Sequence, residues 1–406
     1  MKPYLAGVTQ SFRENGMKPN YSELGRLNNC DPRTIKKYYL HPDARRKTPE
    51  RHSELEPFDA LIADRMAIPG VTMAGAYEFL RKEKGLPGAY VTFTWYCRKK
   101  GYAPKGDGKA HVRYETDPGH QVQVDWKEDL KLRSRDGKTV FVFNVYSATL
   151  GFSRKHFFYY TENKTEQDFI RLTNRLLRDI GGSVDEILTD NMSAIVSVSE
   201  DGRDGRRYKH PNILQWEKDS GIPIRLCRVR SPQTKGKVES SNRFVDRLMA
   251  YDGEVESAAD IEKAVLEIQR EANDKINPDT GMSPQSLFEM KEKQALGKLP
   301  NMSLLDSFTD GGTTVKVSHT LLVPFLGRQY SVPLDYLGKS VRILRNGDYV
   351  EIYYSRQLIA EHPFDPGKKI NYREEDYREG LASAMGRGCD DLDELAEKNL
   401  KGFEGR

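Results

Sequence analysis

The segment "QVQVDWKEDL", residues 121–130, alternates Val122, Val124 and Trp126 with Gln121, Gln123 and Asp125. A period of two predicts a strand with one apolar face and one polar face. Most acids on such a polar face merely meet water, and Glu128 and Asp129 just behind it read as strand-end surface charges. A further role for Asp125 depends on which other acids the fold brings beside it.

Working outward, "VFVFNVYSATL" follows the turn "RSRDGKT" and reads as a hairpin partner of the first strand, with "RKHFFYY" as a third strand. "TEQDFIRLTNRLLRDIGG" is amphipathic: Thr165 can cap it, Phe169, Leu172, Leu176 and Ile180 share a face, and Gly181 ends it. "SVDEILTD" predicts a fourth strand ending at Asp190, "HPNILQWEKDSG" a helix, "IPIRLC" a fifth strand, and "KGKVESSNRF" a final helix. This order predicts an α/β domain with a mixed sheet.

Upstream lie two helical blocks. "NYSELGRLNNCDPRTIKKYY" predicts a short helix at Tyr21 to Leu27, a turn, and a basic helix from Pro32 capped by Asp31, a helix-turn-helix pattern. "TMAGAYEFLRKEKG" followed by "AYVTFTWYCRKKGY" predicts a second such unit, although Val, Thr and aromatic residues suit the last piece equally to a strand. Downstream, period-two patterns and the turn Asn346-Gly347-Asp348 predict a small antiparallel β-barrel. The expected organisation is helix-turn-helix modules at 1–48 and 49–102, a linker at 103–117, the α/β domain at 118–290, a linker at 291–312, the barrel at 313–366 and a flexible tail at 367–406.

The chain has 406 residues, more than one ordinary core of about 150 residues needs. No apolar stretch approaches the roughly 20 residues that span a bilayer, and the start lacks the apolar run of a signal peptide, so no membrane is expected and a cytoplasmic location is the default. Cys30, Cys97, Cys227 and Cys389 lie far apart, which argues against a disulfide framework or a Cys-type zinc site. His111 and His120, near the linker, read as structural or exposed rather than as ligands. The net charge is only +4, but clustered Lys and Arg attract phosphates, which makes nucleic acid a candidate partner.

Three separated acids carry the chemistry. Asp125 is on the first strand of the α/β domain, Asp190 follows the end of the fourth, and Glu239 opens the helix after the fifth. Ligand sites in α/β sheets lie beyond the carboxyl ends of strands. If strands one and four are neighbours, the first two acids converge there and the helix brings the third. Phosphodiester cleavage suits such a cluster, because two Mg²⁺ ions held by carboxylates can stabilise the attacking and leaving oxygens.

"QVQVDW", "ILTDN" and "RSPQTKGKVESSNRF", in that order, resemble the three motifs of DDE transposases and retroviral-type integrases with an RNase H-like core. The chain is similar from end to end to IstA-type insertion-sequence transposases, including "RYETDPGHQVQVDW" before the catalytic domain and "NPDTGMSP" near its end. The resemblance implies an enzyme that binds the terminal inverted repeats of a mobile element, cleaves the 3′ ends and joins them to target DNA. It implies Asp125, Asp190 and Glu239 as catalytic metal ligands, Mg²⁺ with Mn²⁺ able to substitute, a synaptic dimer or tetramer, an IstB-type helper ATPase, and a bacterial, nucleoid-associated setting. No Gly-x4-Gly-Lys phosphate loop is present, so ATP hydrolysis would need that partner. Candidate DNA contacts are Thr34, Lys36 and Lys37 in the first module, Arg98, Lys99 and Lys100 in the second, Lys235 and Lys237 before Glu239, and Arg342 and Arg345 in the barrel. The rival readings are a DNA-binding regulator without an active site and a metal nuclease that cuts without joining.

Overall fold

A computed structural model describes residues 3–41, 53–102, 115–198, 207–227, 236–385 and 392–403, with the side chains of 3–8, 198, 236–240 and 392 left out of the description. His111 and Cys389 therefore lie outside the described residues, as does most of the 103–117 linker. The chain forms two compact units, 1–57 and 58–406.

The first unit holds α1 (Pro3–Glu14), α2 (Tyr21–Leu27) and α3 (Pro32–Leu40). Asn20 caps α2 and Asp31 caps α3, with Pro32 in the first turn where its missing N–H costs nothing. Gly25 is required by the tight turn: a Cβ there would lie 2.8 Å from the Cys30 carbonyl oxygen. Ile35 is buried, while Lys36 and Lys37 face solvent.

The second unit begins with α4 (Asp59–Ala67), α5 (Met73–Glu83) and α6 (Tyr90–Lys100). The ambiguous "AYVTFTWYCRKK" is a helix, because Phe93, Tyr96 and Cys97 bury one face of it and Gly101 closes it in the left-handed conformation.

The α/β domain follows with β1 (Gln121–Arg133), β2 (Val140–Leu150), β3 (His156–Thr161), α7 (Glu166–Ile180), β4 (Glu186–Thr189), β5 (Val196–Val198), β6 (Arg207–Lys209), α8 (Pro211–Ser220), β7 (Ile224–Leu226), α9 (Gly236–Val245) and α10 (Ala258–Asp274). Its five-stranded sheet has the order β3-β2-β1-β4-β7; β1, β2 and β3 form an antiparallel meander, and β4 and β7 add in parallel. This mixed topology is that of an RNase H-like core. β5 and β6 make a separate two-stranded ribbon that the sequence reading had not resolved.

β1 is longer than its opening decapeptide suggests. A bulge between Lys127 and Leu130, with Asp129 in the left-handed region at φ 53°, resets the alternation. Before the bulge Val122, Val124 and Trp126 join the core beneath α7 and α8; after it Leu130 and Leu132 join the core on the opposite face, with α10. Asp129 is thus mid-strand rather than at a strand end, and Lys164 pairs with both Glu128 and Asp129. On the β3 edge, Gln269 and Asn273 of α10 take up exposed strand groups: Gln269 accepts from the Phe158 N–H at 2.6 Å and Asn273 from the His156 N–H at 2.8 Å.

The second helical module is seated on this domain. Arg65 donates to the carbonyls of Ala250 (3.0 Å) and Asp252 (2.8 Å) and pairs with Glu254, Phe79 meets Tyr251 edge-on, and Lys275 pairs with Glu78. Gly75 allows α5 to approach, since a Cβ there would lie 2.9 Å from the Arg247 Cα.

Residues 291–312, expected as a linker, are packed structure: after α11 (Pro284–Leu287), α12 (Lys293–Ala295) and α13 (Met302–Asp306) bring buried Leu304, Leu305 and Phe308 with them, and Asp306 pairs with Arg178. The expected barrel does not close. β8 (Thr313–Lys316), β11 (Ser340–Asn346), β12 (Tyr349–Tyr354) and β13 (Gln357–Pro363) form one sheet, and β9 (Leu322–Phe325), β10 (Arg328–Ser331) and β14 (Ile370–Asn371) another. The two sheets share a core of Val323, Phe325, Tyr330, Ile343 and Ile352 without pairing at their edges. Pro324 removes a backbone donor from edge strand β9, and Pro333 ends β10 before the chain reaches β11, so no continuous ladder joins them.

The 367–406 segment, expected to be a flexible tail, forms α14 (Glu374–Met385) and α15 (Leu392–Phe403), held by Asp376 bonds to Ser331 and Arg373 and by a Tyr372–Tyr377–Phe403 ring cluster.

Two stability predictions follow from this packing. Gly75→Ala is expected to cost about 1–3 kcal/mol in urea unfolding by pushing α5 off Arg247. Asp219 of α8 is buried and, among the described residues, accepts only from Gln215 at 2.9 Å and has its other oxygen without a hydrogen-bond partner. Burial pushes its carboxyl up to about 7, against the opposing pull of Gln215, Arg342 and Lys218. A folded-state value above the unfolded one means its contribution is complete below about pH 4 and lost as pH rises through 7. Asp219→Asn is therefore expected to stabilise the protein at pH 8, by up to about 4 kcal/mol, and to give no gain at pH 4.

Candidate active site

Asp125 and Asp190 meet because of strand register. β1 and β4 run parallel with Val124 opposite Thr189, so the next residues along, Asp125 and Asp190, are placed side by side on adjacent chains. Paired strands lie about 4.8 Å apart, close enough for two carboxylates to share a ligand. β4 ends at Thr189, and the Cys227 N–H donates to the Thr189 carbonyl at 2.8 Å, so Asp190 leaves the sheet at its carboxyl edge. Both acids are half-buried.

Asp125 faces away from Val124 and Trp126 and toward α9, where the Asn242 amide donates to Asp125 Oδ2 at 2.8 Å. Glu239 is on the same helix, one turn before Asn242; its side chain lies outside the described residues. Asn242 was not singled out from sequence, although its spacing of three from Glu239 was the available signal. Trp126 is buried on the opposite face, edge-on to Tyr146, and so packs beneath the site.

The donor set suits a hard divalent cation. The β1–β4 register sets two carboxylates on adjacent chains, and Asn242 Oδ1, on the amide that donates to Asp125, is buried with no hydrogen-bond partner among the described residues. Ser147, opposite Asp125 on β2, and Ser241, next to Asn242, also carry buried hydroxyls without partners among the described residues. No group of three His, Cys, Asp or Glu side chains placed for a metal occurs among the described residues, which exclude the Glu239 side chain.

The expected DNA contacts divide by burial. Thr34 is half-buried on α3 and Lys36 and Lys37 are exposed; Arg98 and Lys99 are exposed on α6. Lys100 is partly committed, pairing with Asp59 at 3.2 Å. Lys235 lies outside the described residues, and Lys237 is on α9 with its side chain likewise outside. Arg345 is exposed over the Phe364 ring, at 4.0 Å. Arg342 contradicts its expected role: it is 3% exposed, donates to the Ser307 hydroxyl at 3.0 Å and to Thr314 at 3.0 Å, and lies 4.0 Å over the Phe308 ring. Burial lowers its guanidinium to about 10. It holds β11 to α13 and is unavailable to DNA. His120, as expected, is partly exposed, 3.0 Å from Asp185.

Residues 115–232 match the integrase core domain family and residues 311–370 the Mu transposase C-terminal domain family. The first match contains Asp125 and Asp190 and stops short of Glu239. The chain is 29% identical over 404 residues to the transposase for insertion sequence element IS232 of Bacillus thuringiensis subsp. berliner, covering 95% of this chain and 90% of that protein. It is 28% identical over 342 residues to the transposase for insertion sequence element IS21 of Pseudomonas aeruginosa, covering 82% and 83%. Among solved structures, the catalytic core domain of BIV integrase is 19% identical, with a TM-score of 0.30, over 42% of this chain and 94% of that one. With an integrase core domain match, a Mu transposase C-terminal domain match and transposase relatives along nearly its whole length, the chain is similar to the insertion-sequence transposases, and these matches support a DNA transposase/integrase enzyme.

Proposed function

We propose that this transposase binds the terminal inverted repeats of its element through the two N-terminal helical modules, cleaves the 3′ ends and joins them to target DNA at Asp125, Asp190 and Glu239. The observation that carries this reading is the parallel β1–β4 register, which sets Asp125 beside Asp190 under α9. Integrase-core enzymes work with a divalent metal, and Asp125, Asp190 and Glu239 would hold it here, as Mg²⁺ or Mn²⁺ and as a pair of ions. When bound, the metal supplies Lewis-acid stabilisation of the phosphoryl charge and activation of the attacking oxygen.

The chain's own part is positional. Asn242 orients Asp125 through Oδ2, the covered apolar face below Asp125 keeps the strand fixed, and the bonds between Arg65 and the 250–254 loop hold the second module against the catalytic domain. Water is the nucleophile for cleavage and the freed 3′ hydroxyl for joining. Lys36 and Lys37, Arg98 and Lys99, and Arg345 are exposed cations suited to phosphate contacts. Synapsis of two ends calls for a dimer or tetramer, and ATP hydrolysis, where transposition uses it, falls to a separate helper of the IstB type because the chain has no phosphate loop.

Incubating the full chain and Mg²⁺ with a pre-cleaved element-end duplex and a supercoiled plasmid should give joined product. Asp125→Asn, Asp190→Asn and Glu239→Gln should each abolish joining while leaving end binding within about twofold, since phosphate contacts elsewhere carry affinity. Normal joining by any of the three, or lost end binding in all, would sink the assignment. Asn242→Ala should slow joining by about 10–100-fold, the usual effect of removing a group that orients a metal ligand, and should raise the metal concentration needed for half-maximal rate. An unchanged metal requirement would assign Asn242 to packing alone.

A further inference from the structure

Helix α6 has two opposite faces of different character. Phe93, Tyr96 and Cys97 bury the inner one, and Lys100 ties it to α4 through Asp59. The outer stripe, at spacings of four, three and one, is Val91, Trp95, Arg98 and Lys99. Val91 is 76% and Trp95 58% exposed, and the Lys99 ammonium lies 5.3 Å from the Trp95 ring centroid. Single exposed apolar residues are ordinary, but a Val and a Trp one turn apart form a continuous apolar patch with no covering element in the described unit.

The chemistry of the stripe is ordered along the helix. Its C-terminal end is cationic, which selects a polyanion; its N-terminal half is apolar, which selects an apolar group presented by that polyanion. In the major groove of duplex DNA the exposed apolar group is the thymine 5-methyl. A reading helix in this groove turns its N-terminal residues to the bases, where Val91 and Trp95 stand, and leaves later residues near the backbone. We infer that Val91 and Trp95 read thymine methyl groups in the element end, while Arg98 and Lys99 hold the flanking phosphates. The inference rests on the proposal that the second module binds element ends, and it assigns sequence readout to the turns that precede the Arg98 and Lys99 phosphate contacts.

The test measures binding of the full chain, by fluorescence anisotropy at fixed salt, to a duplex carrying the terminal repeat that flanks this gene. Thymines are replaced one at a time by 2′-deoxyuridine, which deletes only the methyl. The wild type should lose about fourfold at each contacted position, the value of one buried methyl-sized group. Trp95→Ala and Trp95→Gln, with Val91→Ala alongside, should bind the thymine duplex more weakly and lose discrimination at those positions, with unfolding midpoints unchanged because both residues are exposed. Arg98→Ala with Lys99→Ala should weaken every duplex equally and reduce the salt dependence. Thymine dependence that is absent from the wild type, or that survives in Trp95→Ala, overturns the inference and leaves the stripe to a protein partner. If the Arg98 and Lys99 pair also changes neither affinity nor salt dependence, the end-binding reading of the module itself fails.

Discussion

The parallel pairing of β1 with β4 is the constraint on which the site depends. With Val124 opposite Thr189, Asp125 and Asp190 are neighbours; a slip of one residue would turn Asp125 to the apolar face beneath α7 and separate it from α9. The register is fixed from below by Val122, Val124 and Trp126, which are nearly fully buried, so core packing rather than the acids themselves sets where the acids stand. Two carboxylates on adjacent chains repel when ionised, an arrangement that a bound divalent cation would relieve.

The same strand serves two cores because of its bulge. Upstream of Lys127 its apolar residues face α7 and α8; downstream they face α10. That switch lets α9 and α10 pack on the polar side of the sheet, puts Asn242 over Asp125, and gives the 246–254 segment the position from which it binds Arg65. The second helical module and the acids Asp125 and Asp190 consequently belong to one compact unit. On the other side of the domain, Arg342 and α13 tie the C-terminal sheets to the catalytic domain, with Arg342 lowering the carboxyl of buried Asp219 against the effect of burial.

The elements whose signals are local were legible in the sequence. Caps at Asp31 and Thr165, the left-handed glycine at Gly181 and the alternation of β1 through Trp126 all appear where the residues indicate. The adjacency of Asp125 and Asp190 was legible as a conditional, since it required only that strands one and four pair. What failed depends on long-range geometry. A bulge is invisible in a period-two pattern that restarts after it, so Asp129 read as a strand end. β-patterned segments do not reveal which edges pair, so two sheets over one core read as a barrel. Arg342 read as surface because a buried arginine needs partners, here Ser307 and Thr314, that lie far from it in sequence. The charged final segment concealed an aromatic cluster whose members, Tyr372, Tyr377 and Phe403, are too widely spaced to register as a helical face.

The central claim is that Asp125, Asp190 and Glu239 form one metal site, and Mn²⁺ binding to the DNA-free protein, followed by electron paramagnetic resonance, tests it most directly. The predicted result is a loss of at least about tenfold in affinity for Asp125→Asn, Asp190→Asn and Glu239→Gln, with Asp129→Asn, only four residues from Asp125 but on the bulge, binding as the wild type does. Undiminished Mn²⁺ binding in Asp125→Asn or Asp190→Asn, or an equal loss in Asp129→Asn, would contradict it.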